Sequence, residues 1–204
     1  MTTALEELAQ VASTCTKCRL SSGRTQVVFA DGNPNADLMF IGEGPGYHED
    51  QQGLPFVGAA GQLLNTLLGE VGMNREDVYI CNVVKCRPPG NRDPLPDEIE
   101  ACRPYLAGQI EMVDPRVIVT LGNFATRFML DRPVAISRVR GERHALGGRI
   151  VIPTFHPAAV LRGGGAASRT MQQVREDFAT ISAAVDEARA SGAAAVPEEQ
   201  LGLF

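Results

Sequence analysis

The chain has 204 residues, 44% of them hydrophobic, and a net charge of −5, which is the composition of one globular domain with a buried core. No window approaches the roughly 18 continuous apolar residues of a membrane span, and Met1 to Gln10 hold acids and no apolar signal stretch, so a cytoplasmic monomer without membrane attachment is expected. The negative sum argues against a nucleic-acid binder, but residues 127 to 169 hold eight Arg against Asp131 and Glu142, whereas from residue 170 onward two Arg face six acids. Charge alone leaves a solvated surface and a DNA-facing one equally open.

In chain order, four β-rich runs alternate with helical patterns. The runs are Ala36 to Ile41, Val78 to Val84, Arg116 to Leu121 and Arg149 to Phe155. Between them, Gly61 to Val71 sets Leu63, Leu64, Leu67, Leu68 and Val71 on one stripe, and Pro96 to Val113 opens with Pro and acids before Ile99, Cys102, Leu106, Ile110 and Val113 recur at helical spacing. Phe124 to Leu130 reads as a short helix and Thr170 to Ala190 as a longer one. The alternation predicts an α/β domain over residues 1–190, with a four-stranded parallel sheet flanked by helices. Ligands of such sheets bind beyond the carboxyl ends of the strands. Gly42-Glu43-Gly44-Pro45-Gly46, Asn82 and His156-Pro157 all fall there.

Four cysteines form two sets, Cys15-x2-Cys18 and Cys86-x15-Cys102. In a reducing compartment such sets are ligands more often than disulfides, and four thiolates suit a zinc ion or an iron-sulfur cluster. With 67 residues between Cys18 and Cys86, and a second pair that is no zinc knuckle, a 4Fe-4S cluster is favoured over zinc. Buried apolar thiols are the plain alternative. Cys81, inside an apolar run, reads as core.

Gly42-Glu43-Gly44-Pro45-Gly46, Gly53-Leu54-Pro55-Phe56-Val57-Gly58, Asn82-Val83-Val84-Lys85-Cys86-Arg87-Pro88-Pro89 and His156-Pro157 with Leu161-Arg162 together resemble the family 4 uracil-DNA glycosylases. The resemblance covers about residues 10 to 180. It implies a 4Fe-4S cluster on Cys15, Cys18, Cys86 and Cys102, and hydrolytic release of uracil from DNA. A base inside a duplex must be flipped out to be reached. The resemblance makes Phe56 its stacking platform and Asn82 the reader of uracil O4 and N3–H, since an amide offers both a donor and an acceptor. His156 would donate to O2 as charge develops on the leaving base, and the main chain of Gly42, Glu43 and Gly44 would line the pocket. Better-known glycosylases of this superfamily carry a water-positioning Asp where Gly44 stands. Glu43 and Glu49 are therefore the candidate catalytic carboxylates, Glu49 also as a barrier to the methyl of thymine. Arg138, Arg140, Arg143 and Arg162 are expected to hold DNA phosphates.

Two rival readings are weaker. A covalent uracil-binding relative carries its histidine on an inserted basic loop, and residues 87 to 93 contain no histidine. A noncatalytic zinc-stapled nucleic-acid module would usually have compact ligand spacing. Residues 191–204 read as a flexible tail whose Gln200-Leu201-Gly202-Leu203-Phe204 resembles the short peptide by which bacterial repair proteins dock on the sliding clamp.

Overall fold

The computed structural model describes residues 3–191, so the tail beyond residue 191, with Gln200, Leu201, Leu203 and Phe204, lies outside the described residues. The N-terminal α1 (Ala4–Ser13) begins at a capping box, in which Thr3 and Glu6 satisfy each other's backbone N–H. A two-residue β1 (Asp31–Gly32) and β2 (Leu38–Gly42) follow, then α2 (Tyr47–Gln52), α3 (Ala59–Glu70) and β3 (Tyr79–Asn82). The second half runs α4 (Pro96–Val113), β4 (Val117–Leu121), α5 (Gly122–Leu130), α6 (Ile136–Val139), β5 (His144–Leu146), β6 (Arg149–Thr154), α7 (Pro157–Arg162) and α8 (Arg169–Ala190).

The sheet order is β1-β3-β2-β4-β6-β5. Its four central strands are parallel and match the four runs expected from sequence, but the sheet has six strands, because β1 pairs antiparallel with β3 and β5 antiparallel with β6. These edge strands of two and three residues are too short to print a periodic pattern. The central strands are buried on both faces, as parallel strands under helices must be. In β2, Leu38 and Phe40 face Leu64, Leu67, Val174 and Phe178, while Met39 and Ile41 face Leu106 and Ile110, the alternation that a pleated strand imposes. Helices α3, α7 and α8 cover the first face, and α1, α4 and α5 the second. The N-terminal segment packs on α4, with Leu8 lying where a side chain on Gly108 would stand.

The basic block of residues 127 to 169 is tied back to the acidic α8. Arg140 reaches Asp177 at 2.6 Å, and Arg143 meets Glu187 at 2.5 Å. Asp177 is 2% exposed and also accepts a 2.6 Å bond from the Thr154 hydroxyl at the end of β6, so it holds the strand that leads to His156. Burial raises its carboxyl above the ordinary range, against the opposing pull of Thr154 and Arg140. Removing one partner of such a pair strands the other charge in the interior. Arg140→Met is therefore expected to cost about 3–5 kcal/mol of folding stability, measured by urea unfolding.

Candidate active site

A cleft of about 1010 Å3 opens at the carboxyl ends of the parallel strands. Each segment singled out in the sequence contributes to it. Glu43 and Gly44 enter after β2, Asn82 from the last residue of β3, Leu121 and Gly122 from the junction of β4 and α5, and His156 from the cap of α7. Phe56 comes from the loop between α2 and α3.

The floor depends on residues without side chains. A Cβ on Gly42 would stand 2.3 Å from Asn82 Oδ1 and 2.7 Å from the Phe56 ring, and one on Gly61 would stand 1.7 Å from the Phe56 carbonyl. Phe56 itself has φ of 52°, a left-handed conformation that a bulky side chain adopts only when its surroundings enforce it. The enforcement is visible: Arg75 donates to the carbonyls of Pro55 at 2.5 Å and Phe56 at 3.3 Å, and pairs with Asp31. The Phe56 ring stacks on His156, centroids 5.6 Å apart and planes 28° from parallel.

Asn82 is 2% exposed and lines the cleft. Among the described residues its side-chain amide has no hydrogen-bond partner, and its polar atoms open to the cleft rather than being sealed in the core. A ligand with a matching edge would complete it. His156 caps α7 by accepting the Ala158 N–H at Nδ1, 3.1 Å away. That bond places the ring proton on Nε2, so the neutral imidazole is a donor. Burial, reinforced by the Arg162 charge and opposed by Glu49, pushes its pKa down to about 4.

The two carboxylates differ. Glu49 is occupied: Oε1 accepts the N–H groups of Val57 and Gly58 at 3.0 Å each, and Oε2 that of Gly46 at 3.2 Å. It stitches α2 to the Phe56 loop, and the Gly46-x-x-Glu49 spacing was the readable sign of this cap. Glu43 has no such ties among the described residues, and burial with the nearby Asp93 charge raises its carboxyl above the usual range.

The arginines separate. Arg162 lines the cleft and Arg138 is exposed on α6, whereas Arg140 and Arg143 are engaged by α8 and are not brought to the cleft. The cleft instead carries Arg92, Arg103 and Arg127, which the count of basic residues in one block could not single out.

The four cysteines converge. Cys15, Cys18, Cys86 and Cys102 ring one small cavity between α1, α4 and the loop after β3, while Cys81 is fully buried in the core. Two sulfurs receive donors: Cys86 Sγ from Arg24 at 3.4 Å and Cys102 Sγ from the Lys85 N–H at 3.2 Å. Burial raises the Cys86 thiol and pushes Cys102 up to about 11. Among the described residues no three His, Cys, Asp or Glu side chains are gathered for a single metal ion. The loop joining the pair is braced by fully buried Glu98, which takes Arg92 at 2.6 and 2.9 Å and the Leu95 N–H at 2.8 Å.

A cleft at the strand ends with a buried, unpaired amide, an aromatic floor and a neutral histidine donor defines a site for a flat, polar-edged ring. Residues 29–179 match the profile of the Uracil DNA glycosylase superfamily. A type-4 uracil-DNA glycosylase of Thermotoga maritima is 53% identical over 163 residues, 77% of this chain and 85% of the relative. One of Archaeoglobus fulgidus is 47% identical over 165 residues, 77% of this chain and 83% of the relative. A type-5 enzyme of Pyrobaculum aerophilum is 33% identical over 144 residues, 62% of this chain and 63% of the relative. The chain belongs to the uracil-DNA glycosylase superfamily, in its type-4 branch.

The depressed pKa of His156 sets a pH expectation. The folded chain holds a neutral imidazole down to about pH 4, whereas the unfolded chain binds that proton near 6.5. Its contribution to stability is therefore full above about 6.5 and lost as pH falls toward 4. Single-turnover activity is expected to show no inflection from His156 near 6.5 and to decline only in the acid limb toward pH 4, read from a pH–rate profile.

Proposed function

We infer that the chain is a DNA-repair hydrolase that flips uracil out of DNA and cleaves its N-glycosidic bond, leaving an abasic site. The observation that carries the reading is the buried, unpartnered Asn82 amide beside the Phe56 ring and His156. Uracil presents O4 as acceptor and N3–H as donor, which an amide held in one orientation satisfies together. Cytosine presents the reverse at its amino-bearing edge and leaves two buried groups unpaired, which is the source of discrimination.

As the bond from C1′ to N1 breaks, its electron pair leaves with uracil and spreads to O2, while positive character grows on the sugar. His156 Nε2–H, donating to O2, gains strength with that charge and costs no reorganisation. A neutral donor suits the task, since it keeps its proton. Water closes the reaction by bonding to C1′, its released proton leaving with the uracil anion or through solvent. Glu43, free of backbone ties and with a raised carboxyl, is the group we assign to orient that water. Glu49, locked by three amides, is a rigid wall against the methyl of thymine.

The donor set of Cys15, Cys18, Cys86 and Cys102 fits a 4Fe-4S cluster, since soft sulfurs ring one cavity and take N–H donors of the kind that tune such clusters. The cluster, when bound, supplies a covalent staple between the N-terminal segment and α4. Arg162 and Arg138, with Arg127 of the cleft, are the phosphate-facing set, whereas Arg92 and Arg103 at the cleft are already paired with Glu98 and Glu100. The enzyme acts as a cytoplasmic monomer of one domain. Its last five residues, Gln200 to Phe204, dock on the bacterial sliding clamp and raise the local concentration at replicating DNA.

A uracil oligonucleotide assay tests the activity. His156→Ala is expected to lose about 10²–10³ in single-turnover rate, and Asn82→Asp to gain cytosine release relative to uracil. An unchanged rate or unchanged selectivity would contradict the respective role. The purified protein should hold iron and lose it in Cys102→Ser but not in Cys81→Ser. Deleting residues 200–204 should leave short-oligonucleotide activity intact and abolish clamp co-elution.

A further inference from the structure

Lys85 is a buried cation in the partition between the cleft and the four-cysteine cavity, and nothing in the chemistry above uses it. The residue is 2% exposed, and among the described residues no carboxylate pairs with it. An ammonium taken into a core is costly unless its surroundings compensate it, and a methionine would fill the same space without that cost. What the ammonium does instead is reach two oxygens. Nζ donates to the backbone carbonyl of Asn82 at 2.6 Å and to Gln109 Oε1, and it lies 5.9 Å from the centre of the Phe29 ring.

The Asn82 carbonyl needs that donor. Asn82 is the last residue of β3, and β1 is only two residues long and pairs with Tyr79 and Ile80. Among the described residues no edge strand continues along β3 beyond β1, and the chain closes the gap with its own lysine three residues on. Gln109 is fixed in turn, its amide donating to the Phe29 carbonyl at 3.0 Å and the Tyr79 hydroxyl at 3.1 Å. The main chain of Lys85 is equally committed, its N–H to Cys102 Sγ at 3.2 Å and its carbonyl to the Val28 N–H at 2.8 Å. One residue therefore touches the carbonyl of Asn82, the sulfur of one cavity cysteine and, through the peptide bond, Cys86.

We propose that Lys85 is a positioning residue for base recognition: its ammonium fixes the Asn82 backbone, and through it the direction of the amide, and ties that setting to the four-cysteine site. The proposal rests on the reading of Asn82 as the residue that holds uracil. It explains why a charge is kept in this core, because a strand end that must present an amide in one orientation tolerates no slack in its own carbonyl. A residue that only supports the fold would affect every pocket function alike, whereas a positioning residue acts through Asn82 alone.

The test is a double-mutant cycle in the full chain, comparing Lys85→Met in the native background and in Asn82→Ala. Single-turnover uracil release and the preference for uracil over cytosine are measured, with iron content and thermal unfolding alongside. Lys85→Met should lower uracil release by about 10–100-fold, as loss of outer supporting contacts does, and reduce the preference for uracil. In the Asn82→Ala background the same change should cost no more than about twofold, the margin within which independent effects add. Equal fold losses in the two backgrounds, or an unchanged rate for Lys85→Met, would overturn the proposal. Should Lys85→Met not fold, Gln109→Leu on α4 removes the second anchor of the ammonium; a loss absorbed by Asn82→Ala supports the proposal and an additive loss overturns it. If Asn82→Ala itself releases uracil at the native rate, the underlying reading of Asn82 fails and takes this proposal with it. That result differs from an impaired Asn82→Ala with additive costs, which removes Lys85 alone.

Discussion

The site depends on a backbone approach that only glycine permits. At the end of β2, Gly42 leaves room for the Asn82 amide on one side and the Phe56 ring on the other, at distances of 2.3 and 2.7 Å from where a Cβ would be. An alanine there would have to displace both side chains. From that contact the rest follows: Phe56 is held left-handed at φ 52°, Gly61 yields to its carbonyl, and Arg75 and Glu49 clamp the loop from either end. Rigid placement matters because a donor or acceptor displaced by a fraction of a bond length forfeits much of its effect on the barrier.

Electrostatics divides the molecule by depth. The arginines nearest α8 neutralise its acids and serve stability, whereas Arg162 at the cleft keeps its charge toward solvent and also helps hold His156 neutral. The same residue type thus does two kinds of work within a few positions. A net charge of −5 is compatible with DNA binding because Asp177 and Glu187 of α8 are paired with Arg140 and Arg143 away from the cleft, at which Arg127 and Arg162 stand.

Much of this was legible in the chain. The four central strands and α4, which spans Pro96–Val113 as its Pro, acids and apolar stripe predict, follow from periodicity, because strong burial on a fixed face leaves a strong pattern. The cysteine sets pointed to a shared ligand site, and in the fold all four line one small cavity. Three things were not legible. The edge strands β1 and β5 are too short to carry a period, and pairing with a neighbour defines them. The partners of Arg140 and Arg143 depend on where α8 packs, which a count of charges cannot supply. Lys85 gave one faint sign, a lone charge directly after the apolar Val83-Val84 and before Cys86, whose meaning emerges only when Gln109 and the Asn82 carbonyl are placed beside it.

The claim on which the account turns is that Asn82 reads uracil above Phe56 while His156 faces O2. A crystal structure of the protein with free uracil tests it most directly. The account predicts one uracil ring stacked on Phe56, with O4 and N3 each within hydrogen-bond distance of the Asn82 amide and O2 facing His156 Nε2. Uracil bound elsewhere in the cleft, or bound with the Asn82 amide unengaged, would contradict it.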